Sequence, residues 1–117
     1  MINAVFKCNN EKVILSARIS GHANAVTSST DPVCASASIL ALTLAQLVQF
    51  SYEEGKLRKK PDIQIADGRT SIVCEPKMDA FGELLHAYYC AEVGFHLLSR
   101  NCRDYVKLIP FSDSEKE

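Results

Sequence analysis

Residues 21–38 read GHANAVTSSTDPVCASAS, and this segment fixes where a strand ends and where a long helix begins. Before it, apolar and polar side chains alternate from Val13 to Ser20, which is the period of a half-buried strand. Gly21 then permits a sharp change of direction. After it, Asp31 is a preferred N-cap type, Pro32 suits the first helical position, and apolar side chains recur at helical spacing at Val33, Leu40, Leu44 and Leu47. The segment therefore predicts a strand, a loop and a helix in that order.

This helix start places Cys34 at the third helical position, where backbone N–H groups lack intrahelical partners and the helix dipole is positive. His22 follows the strand and precedes a small polar loop, residues 23–30, which is the best candidate for a mobile segment. A nearby imidazolium and a positive helix end both favour the thiolate, which is the reactive form of cysteine. We therefore predict that His22 and Cys34 are a catalytic pair, with the helix-start amides as possible donors to an oxyanion. On this evidence alone, a small buried role for Cys34 stays open.

Three neighbours are assigned supporting roles. Gly21 ends the strand beside His22, Asp31 caps the helix, and Ser38 lies one turn after Cys34 on the same helical face. Asp31 could also orient the histidine, but capping already explains its presence. The pair is therefore left without an assigned orienting residue.

The same residues resemble the signature of a known family. Gly21-His22-Ala23, a loop, and Asp31-x-Val33-Cys34-Ala35-x-x-Ser38 are similar to the motif of the ribosomal-processing cysteine protease Prp family. The resemblance implies that His22 is the base and Cys34 the nucleophile of a cysteine endopeptidase. It further implies a dimeric α+β domain that removes a short N-terminal extension, after an aromatic residue, from the large-subunit ribosomal protein numbered twenty-seven. The chain departs from the usual motif at Pro32, at 36–37 and at 24–25.

Composition sets the broad class. The 117 residues suffice for one domain, predicted at 1–111, followed by a charged flexible tail at 112–117. Thirteen basic against 14 acidic side chains give a net charge of −1, which argues against direct nucleic-acid binding. We see no signal-like start, and no run approaches the roughly eighteen apolar residues of a membrane span. Five cysteines without a C-x-x-C pair indicate reduced thiols. We expect a cytoplasmic protein without membrane contact, metal or cofactor.

Changes in the spacing of apolar residues along the chain predict the order β-β-α-β-β-α-β in a single α+β domain, with two long helices packed against an antiparallel or mixed sheet. The strands are expected at 2–8, 12–20, 63–66, 70–74 and 105–109, and the helices at 32–52 and 77–100. Asp67-Gly68 favours a tight hairpin turn between the third and fourth strands. Asn101 is predicted to end the second helix in a left-handed conformation. The apolar face of this helix is expected to comprise Phe81, Leu84, Leu85, Tyr88, Phe95 and Leu98.

Other constellations are weaker. The basic cluster at 56–60 is better interpreted as a solvated connector than as an RNA contact, because no aromatic side chain interleaves its charges. His86 and Cys90, with His96 and Cys102, lack a compact zinc spacing. Two functional alternatives remain at this point. One is a non-catalytic ribosome-associated binding protein, and the other is a thiol redox protein in which Cys34 cycles through a sulfenic acid.

Overall fold

The computed structural model describes residues 1–22 and 31–111, so the predicted mobile loop and the charged tail lie outside the described residues. Within them the chain forms the predicted order of five strands and two α-helices, and a 3-10 turn, Met78–Ala80, leads into the second helix. This confirms the α+β fold class. The elements are β1 Ile2–Asn9, β2 Ile14–Ser20, α1 Pro32–Glu53, β3 Asp62–Ala66, β4 Arg69–Cys74, α2 Phe81–Asn101 and β5 Val106–Ile109.

The strands form one mixed sheet in the order β3-β4-β2-β1-β5. All neighbours are antiparallel except β1 and β5, which run parallel. The register pairs Ser20 at the end of β2 with Arg69 at the start of β4. Because Asp67 and Gly68 immediately precede Arg69, the β3–β4 turn lies beside the residues that leave β2.

The core lies between one face of the sheet and both helices. Phe6 of β1 and Phe95 of α2 are fully buried, with ring centroids 6.1 Å apart. The buried Tyr88 hydroxyl donates a hydrogen bond of 3.0 Å to the carbonyl of Ile72 in β4, so its polar atom is satisfied inside the core. Leu84 is also buried on α2, which confirms the predicted apolar face for its central residues.

Helix α1 packs through small side chains, and here the sequence prediction is partly wrong. The buried positions are Val33, Ala37, Ala41, Leu44, Ala45, Val48 and Ser51. Leu47, predicted on the core side, is 43% exposed. Small residues allow a helix to approach its neighbours closely, and Gly94 of α2 does the same, since a Cβ there would lie 2.5 Å from Leu40 Cδ2. Several large apolar side chains of α1, namely Ile39, Leu42, Leu47 and Phe50, are exposed, whereas Leu44 and Val48 are buried.

By length and composition, α1 is the one helix among the described residues that could cross a membrane. The prediction that no segment is apolar enough to span a membrane is therefore wrong for α1, because Ser, Thr and Gln interrupt its apolar run without adding charge. Helices in the core of a soluble protein can have the same length and composition. In this structure α1 lies against the sheet and α2, with its alanine-rich side buried.

Two local predictions are wrong. The second strand begins at Ile14, because Val13 adopts a φ of 55° and belongs to the turn that precedes it. Asn101 is not a left-handed cap: it is the last residue of α2, and Cys102 follows as the C-cap with a φ of −133°. The Asn101 side-chain amide donates to the carbonyl of Leu97 at 2.9 Å, so a terminal carbonyl is satisfied without a left-handed residue.

Candidate active site

The start of α1 confirms the capping prediction. Asp31 is the N-cap, and its Oδ1 accepts hydrogen bonds from the backbone N–H groups of Val33 at 2.9 Å and Cys34 at 3.3 Å. The next amide, Ala35, donates to the Asp31 carbonyl at 2.9 Å. Cys34 therefore lies at the third helical position, as predicted. The amides considered as oxyanion donors are, however, already engaged by Asp31.

Replacing Asp31 with alanine is expected to lower the free energy of unfolding by about 0.5–2 kcal/mol, because the backbone amides of Val33 and Cys34 at the helix start lose their hydrogen-bond acceptor. Asn can accept the same bonds, so Asp31→Asn should retain most of the stability. Urea denaturation of both variants checks this. Equal loss in the two variants would show that the carboxylate charge, and not the cap, carries the effect.

His22 is held at its backbone by the residues on either side of β2. Gly21 has a φ of 92°, and a Cβ at this position would lie 2.2 Å from the carbonyl oxygen of Met1, so only glycine fits. The Gly21 amide donates to the Gly68 carbonyl at 2.8 Å, and the Met1 amino group donates to the His22 carbonyl at 2.6 Å. The imidazole itself stays about half exposed, at 48%. The backbone is thus fixed while the ring remains accessible.

The predicted residues His22 and Cys34 line one cavity of about 410 Å³, together with Gly21 and Ser38. Ile19, Thr70 and Ile65 form its floor, since strand register places them side by side across β2, β4 and β3. One wall is formed by the α1 side chains of Ala37, Ser38, Ala41 and Leu42. Asp31 is absent from the lining and acts behind Cys34, through the helix start.

The β3–β4 hairpin adds residues to this cavity that were not predicted from the sequence. Asp67 and Arg69 bring charge to its rim, and Gly68 lies between them. The Asp67 Oδ1 is 3.9 Å from His22 Nε2. The turn at 67–68 was predictable, but its place beside His22 depends on the pairing of β2 with β4, which no local pattern signals.

The Cys74 thiol and the Cys34 thiol lie in different environments. Burial raises the pKa of Cys74 to about 11, an effect that a hydrogen bond with Tyr88 opposes. A thiol of this kind is inert at neutral pH. Cys34, by contrast, is only partly buried and borders the cavity. Among these two thiols the geometry selects Cys34 as the one that a substrate can reach.

The basic cluster is paired with carboxylates. Lys56 lies 2.8 Å from Glu83, and Lys59 lies 2.7 Å from Glu75. The hydrogen bond from Lys59 lowers the pKa of Glu75, although burial opposes the shift. These pairs favour the connector interpretation over an RNA contact, because the local charge is largely neutralised.

A second cavity, of about 590 Å³, lies between the end of β1 and α2 and is lined by Cys8, His86 and Tyr89 among others. Tyr89 is 52% exposed there, whereas its neighbour Tyr88 is fully buried, so the two tyrosines are rim and core residues. Within residues 1–22 and 31–111, no three His, Cys, Asp or Glu side chains are grouped in a way that could hold a metal ion.

The comparison with protein families decides the relationship. A family model described as cysteine protease Prp matches residues 1–107, which include His22, Cys34 and the whole cavity. The chain belongs to the Prp family. Its membership of a cysteine protease family agrees with the resemblance seen in the motif around residues 21–38.

Solved structures share the Prp fold over nearly the whole chain, whereas no curated protein matches. The essential ribosomal processing protease Prp from S. aureus, in complex with a covalently linked product peptide, has a TM-score of 0.70 at 21% identity, covering 92% of this chain and 97% of that one. The same protease in complex with a substrate peptide has a TM-score of 0.67 at 20% identity, covering 93% of this chain and 98% of that one. SMU.848 from Streptococcus mutans has a TM-score of 0.66 at 21% identity, covering 95% of this chain and 94% of that one. At these identities the likeness establishes the fold.

Proposed function

We propose that this Prp family member is an endopeptidase whose catalytic dyad is Cys34 as nucleophile and His22 as base. The observation that carries the proposal is that both side chains line one accessible cavity, with Cys34 at the N-terminus of α1. An imidazole that lines the same cavity as a thiol can take its proton and favour the thiolate. The family model adds the reaction class.

The proposed reaction follows acyl-transfer chemistry. His22 takes the proton of the Cys34 thiol, and the sulfur attacks the carbonyl carbon of the scissile peptide bond. The imidazolium then protonates the leaving amine as the C–N bond breaks. Water, activated by the neutral imidazole, hydrolyses the thioester and restores the thiol. Because the amides of Val33 and Cys34 are bound by Asp31, the oxyanion needs other donors of the cavity.

The proposed substrate is the N-terminal extension of the large-subunit ribosomal protein numbered twenty-seven. The S. aureus relative is described as a ribosomal processing protease and binds peptides, which supports a peptide substrate of this kind. An apolar region beside the dyad, formed by Ala41, Leu42 and Ile65, suits an aromatic side chain before the cut. A cytoplasmic location, where ribosomes assemble, is part of the proposal.

Intact-mass spectrometry tests the substrate directly. The chain is incubated with the extended ribosomal protein, and a product shortened at one position after an aromatic residue is expected. The mature ribosomal protein without its extension is the control and should keep its mass. An extended protein that also keeps its mass would overturn the proposed substrate.

The proposal includes a homodimer, and an exposed apolar surface on α1 supports it. Ile39, Leu42 and Phe50 are 64%, 44% and 52% exposed, and large apolar patches of this kind mark interaction sites. Light scattering should give twice the chain mass of 12.9 kDa. Phe50→Glu should shift this mass toward the monomer, whereas Gln46→Glu on the same helix adds the charge without removing apolar surface. A monomeric wild-type chain would contradict the dimer.

A further inference from the structure

The β3–β4 turn lies directly against His22, and three separate observations define the contact. The Asp67 Oδ1 is 3.9 Å from His22 Nε2. A Cβ built on Gly68 would lie 2.7 Å from the same nitrogen. The Gly68 carbonyl also accepts the hydrogen bond from the amide of Gly21, 2.8 Å away. One turn thus contacts both the backbone before the histidine and one edge of its ring.

These contacts have an electrostatic consequence for the ring. At 3.9 Å the Asp67 carboxylate is beyond hydrogen-bond distance, so it acts through its negative charge, which favours positive charge on the imidazole. Nucleophile–base pairs commonly have such a third group that orients the base. Asp31 is not available for this role, because its side chain caps α1 through the amides of Val33 and Cys34.

We propose that Asp67 and Gly68 are positioning residues for His22, with Asp67 stabilising the imidazolium and Gly68 leaving room for the ring. The inference rests on the proposed function, in which His22 is the base. A side chain at position 68 would disturb this arrangement on two counts: its φ of 72° is strained for residues other than glycine, and an added Cβ would lie 2.7 Å from His22 Nε2, so the imidazole would have to move.

The size of the Asp67 effect follows from its exposure. Its side chain is 97% exposed and the distance exceeds a hydrogen bond, so the carboxylate acts through its charge in a solvated setting. Exposed pairs of this kind change an equilibrium by about 1.5- to 5-fold. Among the described residues, Arg69 on β4 and Cys34 on α1 are the other charged or titratable side chains that line the cavity besides Asp67, and the Met1 amino group binds the His22 carbonyl.

Alkylation of Cys34 by iodoacetamide tests the proposal without a substrate. The rate is measured from pH 6 to pH 10 and resolved at Cys34 by peptide mass mapping, because Cys90 is also exposed. Asp67→Asn should slow alkylation near pH 6.5 by about 1.5- to 5-fold, since less imidazolium supports the thiolate. The rates should converge above about pH 9.5, where a cysteine is ionised without help. Asp67→Glu should recover the wild-type profile.

Matched controls separate charge and shape from other effects. Asp62→Asn removes an exposed carboxylate at the far end of β3 and should leave the profile unchanged. Gly68→Ala should lower the rate of substrate cleavage by about 100-fold, the scale of a misplaced catalytic group. Gly55→Ala imposes the same kind of backbone strain, at a φ of 76°, but has no atom within 4 Å of the added Cβ. It should therefore keep its cleavage rate.

The His22→Ala variant separates a failure of the positioning role from a failure of the proposed dyad. If its profile shows slowed alkylation near pH 6.5 while Asp67→Asn superposes on the wild type, the positioning role of Asp67 is wrong and the dyad stands. A Gly68→Ala variant as active as Gly55→Ala would likewise refute the role of Gly68. If His22→Ala itself alkylates like the wild type at every pH, the proposed dyad fails.

Discussion

Cys34→Ala is expected to leave a folded protein that cleaves the extended ribosomal protein at least about 1,000-fold more slowly, because it removes the sulfur that is proposed to form the acyl intermediate. Alanine is the best helix former, and the Asp31 cap acts through the backbone amide of residue 34, so the helix start should be retained. The measurement pairs the cleavage rate from intact mass with the circular dichroism spectrum and the urea midpoint. Cleavage at the wild-type rate would refute Cys34 as the nucleophile.

Cys90→Ala is the matched control for this experiment, since it removes an exposed thiol from α2 outside the cavity lining. It should cleave as fast as the wild type. The same samples separate the alternative functions. A binding protein would hold the extension equally well in wild type and Cys34→Ala while neither produced a shortened product. A redox protein would lose a thiol to peroxide and form a disulfide with a resolving cysteine.

Phe95→Ala is expected to lower the free energy of unfolding by about 3–5 kcal/mol, the usual cost of removing a buried ring and leaving a cavity. Phe95 is fully buried, and the centroid of its ring lies 6.1 Å from that of Phe6. Removing the ring therefore weakens the packing of α2 on the centre of the sheet. Total stabilities of small domains are only about 5–15 kcal/mol, and the variant should be partly unfolded at 37 °C. Urea denaturation measures the change.

Tyr89→Ala on the same helix is the control. Its side chain is 52% exposed, so its removal should change the free energy of unfolding by less than about 0.5 kcal/mol. A Phe95→Ala variant as stable as Tyr89→Ala would mean that α2 does not pack as the structure describes.

Local sequence signals predicted the elements because those signals act over a few residues. Asp31 and Pro32 gave the first residue of α1 and, with it, the position of Cys34. The same reasoning was right for Val33 and Leu44, which are buried, and wrong for Leu47, because the structure buries the small residues Ala41 and Ala45 and leaves Leu47 exposed. Side-chain size alone cannot tell which face approaches a neighbour closely. That choice depends on what Gly94 and the sheet offer on the other side.

The candidate site likewise contains residues that the sequence predicted and residues that only the tertiary structure brings to it. His22 and Cys34 could be selected from one contiguous segment, because the chemistry of an imidazole and of a helix-start thiol is carried by the residues themselves. Asp67 and Gly68 lie 45 and 46 residues after His22, and in sequence they indicate only a hairpin. The register between β2 and β4 brings that hairpin to the histidine, and backbone hydrogen bonds of this kind are nearly the same for any side chains.

By itself, then, the amino-acid order determined the order of helices and strands, the thiol at the helix start and the family motif, since each is a short-range property. Only the tertiary structure decided which strands are neighbours, which side of α1 is buried and which turn contacts the imidazole. Those outcomes depend on packing and strand pairing between distant segments, where the free energy is shared among many contacts and no single residue carries the signal.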